Sequence, residues 1–324
     1  MKRIGVLTSG GDAPGMNAAI RAVVRSAIAV GMKVVGVKKG YFGLLAGMFQ
    51  EMDARSVSDI LHRGGTILQS ARCPEFKLPE SVEKAVKNAK EAGLDGLVVI
   101  GGDGSFRGAR DLSLAGLPTV GIPGTIDNDI GCTDYTIGFD TALNTVQDAI
   151  DKIRDTCRSH DRCSVVEVMG RDAGYIATNV GIACGAEAVI IPEKDFDFRR
   201  DVLSVIKEGI SRGKEQHLVI VAEGVSKDNM STLKMASRIE EETGIETRAT
   251  ILGHIQRGGN PTVKDRVTAS RMGVAAVDLL NMGIGNRIVA VREDKIVDYD
   301  ILEGLNMSKR LDSELIGVAE LLSL

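Results

Sequence analysis

Gly96-Leu97-Val98-Val99-Ile100-Gly101-Gly102-Asp103-Gly104-Ser105 runs from a continuous apolar stretch straight into glycines and a carboxylate. A strand that is apolar at consecutive positions is covered on both faces, as in a parallel sheet. Glycine at its end tolerates positive φ and lets backbone N–H groups approach an anion, because no Cβ intervenes. The device recurs along the chain. Leu7-Thr8-Ser9-Gly10-Gly11-Asp12 and Val168-Met169-Gly170-Arg171-Asp172 pass in the same way from apolar residues through glycine to Asp. The run 119–122 leads into Pro123-Gly124-Thr125-Ile126-Asp127-Asn128-Asp129. Carboxylates at such strand ends can hold Mg²⁺ and accept a proton from an attacking hydroxyl. Together these loops point to phosphoryl transfer.

Outward from that stretch, strand-like runs at 3–8, 33–37, 96–100, 119–122, 165–169, 188–191, 218–222, 247–252 and 287–291 alternate with helical patterns at 15–30, 81–92, 141–157, 201–212 and 265–282. Ser56-Val57-Ser58-Asp59 reads as a further helix start with its cap. This βαβ alternation specifies an α/β protein of two packed Rossmann-like domains, with largely parallel sheets covered by helices. In such sheets ligands sit beyond the carboxyl ends of the strands, where the glycine–aspartate turns lie.

The bulk composition narrows the function. The chain has 324 residues, 44% hydrophobic and 26% charged, which suits a globular protein with two developed cores. A net charge of −4, 3% aromatics and no Trp argue against a nucleic-acid surface, which needs a basic field and stacking rings. Five cysteines, Cys73, Cys132, Cys157, Cys163 and Cys184, form no Cys-x-x-Cys pair, as expected for reduced cytosolic thiols. The apolar run after Met1 stops at Ser9, and no apolar stretch reaches membrane-spanning length, so a cytoplasmic location is expected.

Each candidate residue has a plainer alternative. Gly10-Gly11-Asp12-Ala13-Pro14-Gly15 precedes a helix whose N-terminus attracts anions, or it is simply a tight βα turn. Its spacing matches neither a Walker A loop nor a dinucleotide fingerprint, and Lys38-Lys39 stands where a ribose-binding acid is wanted. Asp103 approaches Mg²⁺ through water or caps the next helix. Asp127 and Asp129, two apart, face one way if their segment is extended, one as base and one supporting the metal; Asx-turns are the alternative. Arg162, Arg171, Arg248 and Arg257 flank strand ends or glycine turns, and guanidinium forks suit phosphate, although a lone arginine is most often a solvated one. Arg21 and Arg25, at i and i+4, share a helix face that is either polar surface or half of an anion site. His254 by itself reads more readily as a satisfied core histidine.

Taken together, Leu7-Thr8-Ser9-Gly10-Gly11-Asp12-Ala13-Pro14-Gly15-Met16-Asn17, the two loops ending at Ser105 and Asp129, Val168-Met169-Gly170-Arg171 and Gly253-His254-Ile255-Gln256-Arg257-Gly258-Gly259 resemble the bacterial ATP-dependent 6-phosphofructokinases. The resemblance covers nearly the whole chain. It implies transfer of the ATP γ-phosphate to the 1-hydroxyl of fructose 6-phosphate, a step of glycolysis, in a homotetramer. It also implies an ATP-binding domain (1–138 and 252–301) and a fructose 6-phosphate domain (139–251 and 302–324). Asp127 becomes the general base, with Thr125 and Arg171 at the reacting end. Gly11, Tyr41, Arg72, Cys73, Gly102, Asp103, Gly104, Ser105 and Gly108 become the ATP shell, and Asp103 and Asp129 the Mg²⁺ carboxylates. Sugar-phosphate contacts fall on Thr125, Ile126, Asp127, Arg162, Met169, Gly170, Arg171, Glu223, Arg248, His254, Ile255, Gln256 and Arg257. Arg162 and Arg248 match arginines that reach in from a neighbouring subunit.

An allosteric pocket for ADP or phosphoenolpyruvate, between subunits, falls on Arg21, Arg25, Ser58, Asp59, Arg154, Gly185, Ala186, Glu187, Arg212 and Lys214. Around it Ala54, Glu215 and Gln216 replace or displace basic residues of some relatives. Gly104 and Gly124 stand where pyrophosphate-using relatives carry Asp and Lys, so the resemblance implies ATP as donor. Lipid and NAD kinases share the Gly-Gly-Asp-Gly turn but are expected to lack the 123–129 and 254–259 segments. A non-catalytic nucleotide sensor would need neither Asp127 nor Arg171.

Overall fold

The computed structural model describes residues 1–158, 162–228 and 230–322, so residues 323 and 324 of the expected second domain lie outside the described residues. Its strands are β1 (Arg3–Thr8), β2 (Lys33–Val37), β3 (Phe49–Met52), β4 (Gly96–Gly101), β5 (Thr119–Pro123), β6 (Cys163–Val168), β7 (Ala188–Ile190), β8 (His217–Ala222), β9 (Thr247–Ile251), β10 (Arg287–Arg292) and β11 (Lys295–Asp300). The helices are α1 (Met16–Ala29), α2 (Gly40–Ala46), α3 (Pro79–Glu91), α4 (Asp103–Leu114), α5 (Phe139–Arg158), α6 (Tyr175–Cys184), α7 (Ser204–Ser211), α8 (Glu223–Asp228), α9 (Thr232–Thr243), α10 (Val263–Asn281), α11 (Ile301–Asn306) and α12 (Ser313–Leu321). The chain folds as two compact units, Met1–Thr141 with Arg257–Lys309 and Ala142–Gln256 with Arg310–Leu324. No helix among the described residues is long and apolar enough to cross a membrane.

The first unit holds a seven-stranded sheet in the order β11-β10-β5-β4-β1-β2-β3, parallel except for its two edge strands. The central strands are buried throughout, as their unbroken apolar runs require. Register decides where the site forms. Thr8 of β1 pairs with Ile100 of β4, and Gly101 of β4 with Pro123 of β5, so three glycine loops leave one edge of the sheet side by side. On one face α1 and α10 pack so closely that a Cβ on Gly273 would sit 2.6 Å from the Ala22 methyl.

The second unit carries a four-stranded, wholly parallel sheet, β7-β8-β6-β9. Its core joins Val165, Val219, Val221, Val202, Ile206, Met235 and Ile239. Ser231 caps α9 by accepting the Lys234 N–H at 3.3 Å, and Gly244, at φ 72°, ends it in the left-handed conformation.

Two expectations fail for identifiable reasons. No helix starts at Ser56. Residues 54–59 form turns, the Asp53 carboxylate accepts the Arg55 and Ser56 N–H groups at 2.9 and 2.7 Å, and Asp59 at φ 56° stops any propagation. Nor is the Asp127-Asn128-Asp129 segment extended, because Asn128 sits at φ 52°. Alternation therefore does not set those two aspartates on one face.

Candidate active site

In the first unit, Ser9 N–H donates to Ile100 O at 2.9 Å and Gly124 N–H to Gly101 O at 2.9 Å, which locks the three loops together at the strand ends. Gly101 is required there. A Cβ would lie 2.4 Å from Ser105 Oγ and 2.6 Å from Ser9 O. Gly102 precedes α4, with Asp103 in its first turn, so free N–H groups and the positive dipole end face the loop cluster. Asp103 pairs with Arg107 at 3.0 Å but keeps 38% of its side chain exposed. Nothing lies within 4 Å of where a Cβ on Gly104 would be.

That surface fits Mg²⁺, which keeps its waters and takes one or two carboxylates plus substrate phosphates. No group of three or more His, Cys, Asp or Glu side chains with metal-binding geometry occurs among the described residues. Asp129 is partly buried on the neighbouring loop.

Asp127 is only 7% exposed. Thr125 Oγ1 donates to its Oδ2 at 3.2 Å and accepts its backbone N–H at 3.3 Å. Thr136 Oγ1 donates to Thr125 O at 2.6 Å, and Ile126 beneath them is fully buried. Further support comes from Asp265, which sequence reasoning did not single out. Its carboxylate accepts from Tyr135 Oη, Gly138 N–H (2.7 Å), Thr141 N–H (2.9 Å) and Thr141 Oγ1. Desolvation by burial raises its pKa against the pull of those donors.

The remaining expected ATP-shell residues divide into surface and support. Arg72 is exposed, and Gly11 lies under the Arg257 guanidinium, whose Nη1 donates to Asp12 O at 3.3 Å. Arg257 thus stands on the first glycine loop of the first unit. Cys73 is half-buried, with Sγ 3.8 Å from Glu75. Tyr41 is buried, stacks on Phe76 with centroids 4.2 Å apart and donates its hydroxyl to Ser105 O. A Cβ on Gly108 would strike that ring at 2.7 Å, so Gly108 and Tyr41 shape the loop from beneath.

In the second unit, Gly170 (φ 140°) and Arg171 (φ 59°) form a tight turn at the end of β6, where a Cβ on Gly170 would meet Ala173 O at 2.5 Å. Glu223 accepts the Arg171 N–H at 2.8 Å, and fully buried Gln256 accepts the Met169 N–H at 3.1 Å. These two side chains hold the backbone of the turn and leave the Arg171 guanidinium in solvent. Arg162 and Arg248 share one carboxylate, Glu246, with Arg162 Nε at 2.8 Å. His254 and Ile255 are exposed, not core residues.

The same unit carries an open pocket of about 520 Å³, lined by Arg154, Gly185, Glu187, Lys214, Glu215 and Gln216 among others. Buried Glu187 takes Lys214 Nζ at 3.2 Å and His217 Nδ1 at 2.7 Å. Ala186 is buried beside it, while Arg212 pairs with Glu208 and does not line the pocket. His217 escaped sequence reading because it opens an apolar strand. Arg21, Arg25, Ser58 and Asp59 belong to the first unit, Arg25, Ser58 and Asp59 being exposed and Arg21 half-buried.

The family model described as phosphofructokinase matches residues 3–280. The chain is 55% identical over its full length, and over the full length of the relative, to the ATP-dependent 6-phosphofructokinase of Bacillus velezensis. It is 57% identical to the enzyme of the same description from Clostridium botulinum, again with both chains covered completely. Among solved structures, Saccharomyces cerevisiae phosphofructokinase superimposes with a TM-score of 0.88 at 34% identity, covering all of this chain and 48% of the yeast one. A pyrophosphate-dependent phosphofructokinase from Marinobacter aquaeolei, 21% identical over 97% of this chain and 86% of its own, shares the fold with a TM-score of 0.86. With three loops at adjacent strand ends, a buried aspartate among them and matches of this length, the chain belongs to the phosphofructokinase family.

Proposed function

We propose that this chain transfers the γ-phosphoryl group of ATP to the 1-hydroxyl of fructose 6-phosphate, giving fructose 1,6-bisphosphate and ADP. The observation that carries the reading is Asp127, buried and oriented by Thr125 on a loop that runs beside two glycine loops. The Asp127 carboxylate accepts the hydroxyl proton as the sugar oxygen bonds to the γ-phosphorus and the bridging oxygen leaves with ADP. The transition state spreads charge over three oxygens, so positioned cations matter more than covalent chemistry. Arg171 is assigned to that charge. Arg162 and Arg248 are assigned to the sugar's 6-phosphate, with Glu223, His254 and Arg257 as further sugar contacts. Asp103, with Asp129 nearby, would hold Mg²⁺, which when bound would neutralise the donor's phosphates.

On this reading the first unit binds ATP and the second binds fructose 6-phosphate. Open space at Gly104 supports a full nucleotide as donor. The pocket at Arg154, Glu187 and Lys214 is assigned to ADP or phosphoenolpyruvate, completed by Arg21 and Arg25 in a homotetramer, and the free buried cysteines support a cytoplasmic setting. The test is a coupled assay with fructose 6-phosphate and either MgATP or pyrophosphate, with and without each effector. Turnover with MgATP and little with pyrophosphate is expected. Comparable kcat/KM for both donors overturns the donor assignment, and an unchanged saturation curve overturns the effectors.

A further inference from the structure

Asp127 is the only member of its loop asked to stand at a fixed distance from a reacting proton, yet Asn128 beside it is in a conformation that side-chain-bearing residues rarely adopt. Asparagine tolerates left-handed φ better than most residues, but something must hold it there. Asn128's own amide does part of this, its Nδ2 donating to Asp134 O at 3.4 Å, and Lys309, the last residue of the first unit, braces the backbone beside it. Its Nζ donates at 3.0 Å to Asn128 O and at 3.0 Å to Asp134 O, bridging the two ends of the loop that follows Asp127. The approach is close along the whole segment. A Cβ on Gly131 would fall 2.0 Å from Met307 O, so only glycine lets residues 307–309 lie against the loop. Arg292 closes the far end, donating to the Asp134 carboxylate and, at 2.8 Å, to Gly131 O.

We propose that Lys309 is a positioning residue for phosphoryl transfer, acting through the Asn128 carbonyl to fix the Asp127 carboxylate where it meets the sugar hydroxyl. The proposal rests on Asp127 being the base. A single ammonium on two carbonyls is a stronger restraint than a neutral donor, because charge-assisted hydrogen bonds are about twice as strong. Releasing it lets Asn128 relax out of its left-handed conformation and carries the Asp127 backbone with it. A displacement on the order of 1 Å costs up to about 100-fold in rate.

The test compares full-length wild type with Lys309→Met, Lys309→Arg, Asp127→Asn and the Asp127→Asn/Lys309→Met double variant, measuring kcat, both KM values and thermal unfolding. Lys309→Met is expected to lower kcat by about 10–100-fold while each KM stays within about three-fold. Lys309→Arg, whose fork can also span two carbonyls, is expected to recover most of the loss. In the Asp127→Asn background, Lys309→Met is expected to lower kcat no further. Wild-type kcat in Lys309→Met overturns the proposal. So does a loss that tracks lowered thermal stability without rescue by Arg, or a full further loss in the double variant. Wild-type kcat in Asp127→Asn is a different result, for it removes the base assignment itself and the positioning role with it.

Discussion

Asp127 leaves 7% of its surface in solvent, whereas Arg171 and Arg248 leave 61% and 66% of their side chains there. The aspartate lies just beyond central strand β5; Thr125 bonds its carboxylate, Thr136 and Lys309 bond the Thr125 and Asn128 carbonyls near it, and Asp265 anchors the segment farther along. The arginines sit on a turn and on edge strand β9, and their guanidiniums are met by carboxylates in water. The difference fits the roles we propose for each. A proton acceptor works only at one distance from its donor, so its loop is built rigid. A phosphate-binding cation must release product, so a weak solvent-exposed partner serves it better than a buried one.

The sharpest way to break that contrast is at Asp127. Asp127→Asn keeps shape but removes the base and a fixed charge, so kcat should fall by about 10⁴-fold or more, about 5 kcal/mol of barrier. The KM for MgATP should change little. Steady-state kinetics decide it, and a variant with wild-type kcat shows that the rigid loop holds something other than the base.

Next in size is the stability of the rigid side. Asp265→Ala leaves buried donors at Tyr135, Gly138 and Thr141 without an acceptor, which should cost about 3–5 kcal/mol in urea unfolding. The pH dependence runs opposite to that of an ordinary paired carboxylate. Burial raises the Asp265 pKa, so the folded state binds that proton more readily than the unfolded chain. Its unfavourable charge term therefore appears as pH rises past the unfolded value and fades in acid. An Asp265→Ala variant with a wild-type unfolding midpoint would show that the Asp265 hydrogen bonds do not stabilise this segment.

The same contrast explains what could be read from the sequence. Buried strands announce themselves by continuous apolar runs, and the five parallel strands of the first unit were legible. Edge strands β3 (Phe-Gln-Glu-Met) and β11 (Lys-Ile-Val-Asp-Tyr-Asp) were not, because one side of each meets water and charged residues dilute the pattern. Glycine–aspartate loops were legible because local φ and close approach demand particular residues. Lys309 was not, since its partner Asn128 lies 181 residues away and nothing in its neighbours marks it. Glu246 and His217 escaped likewise, being ordinary residues given meaning by long-range contact.

The smallest effect belongs to the exposed side. Glu246 occupies one edge of both the Arg162 and Arg248 guanidiniums, and all three side chains keep a quarter or more of their surface exposed, at 38%, 25% and 66%. Exposed pairs contribute about 0–1 kcal/mol, so a phosphate dianion that engages the forks displaces the carboxylate at little cost. Glu246 is then a competitor held in reserve, and Glu246→Gln should lower the fructose 6-phosphate KM by about 2–5-fold, within that range, with kcat unchanged. The pH dependence has a definite sign. The Arg162 hydrogen bond holds the Glu246 pKa below its ordinary value. The competing charge is therefore present at neutral pH and persists into acid. The gap between wild type and Glu246→Gln should stay open as pH falls, closing only below that lowered value. Measuring KM from neutral pH into acid for both proteins checks the sign and the size. If KM instead rises several-fold in the variant, the carboxylate orders the two arginines for phosphate, and the second unit is built on the same rigid plan as the first.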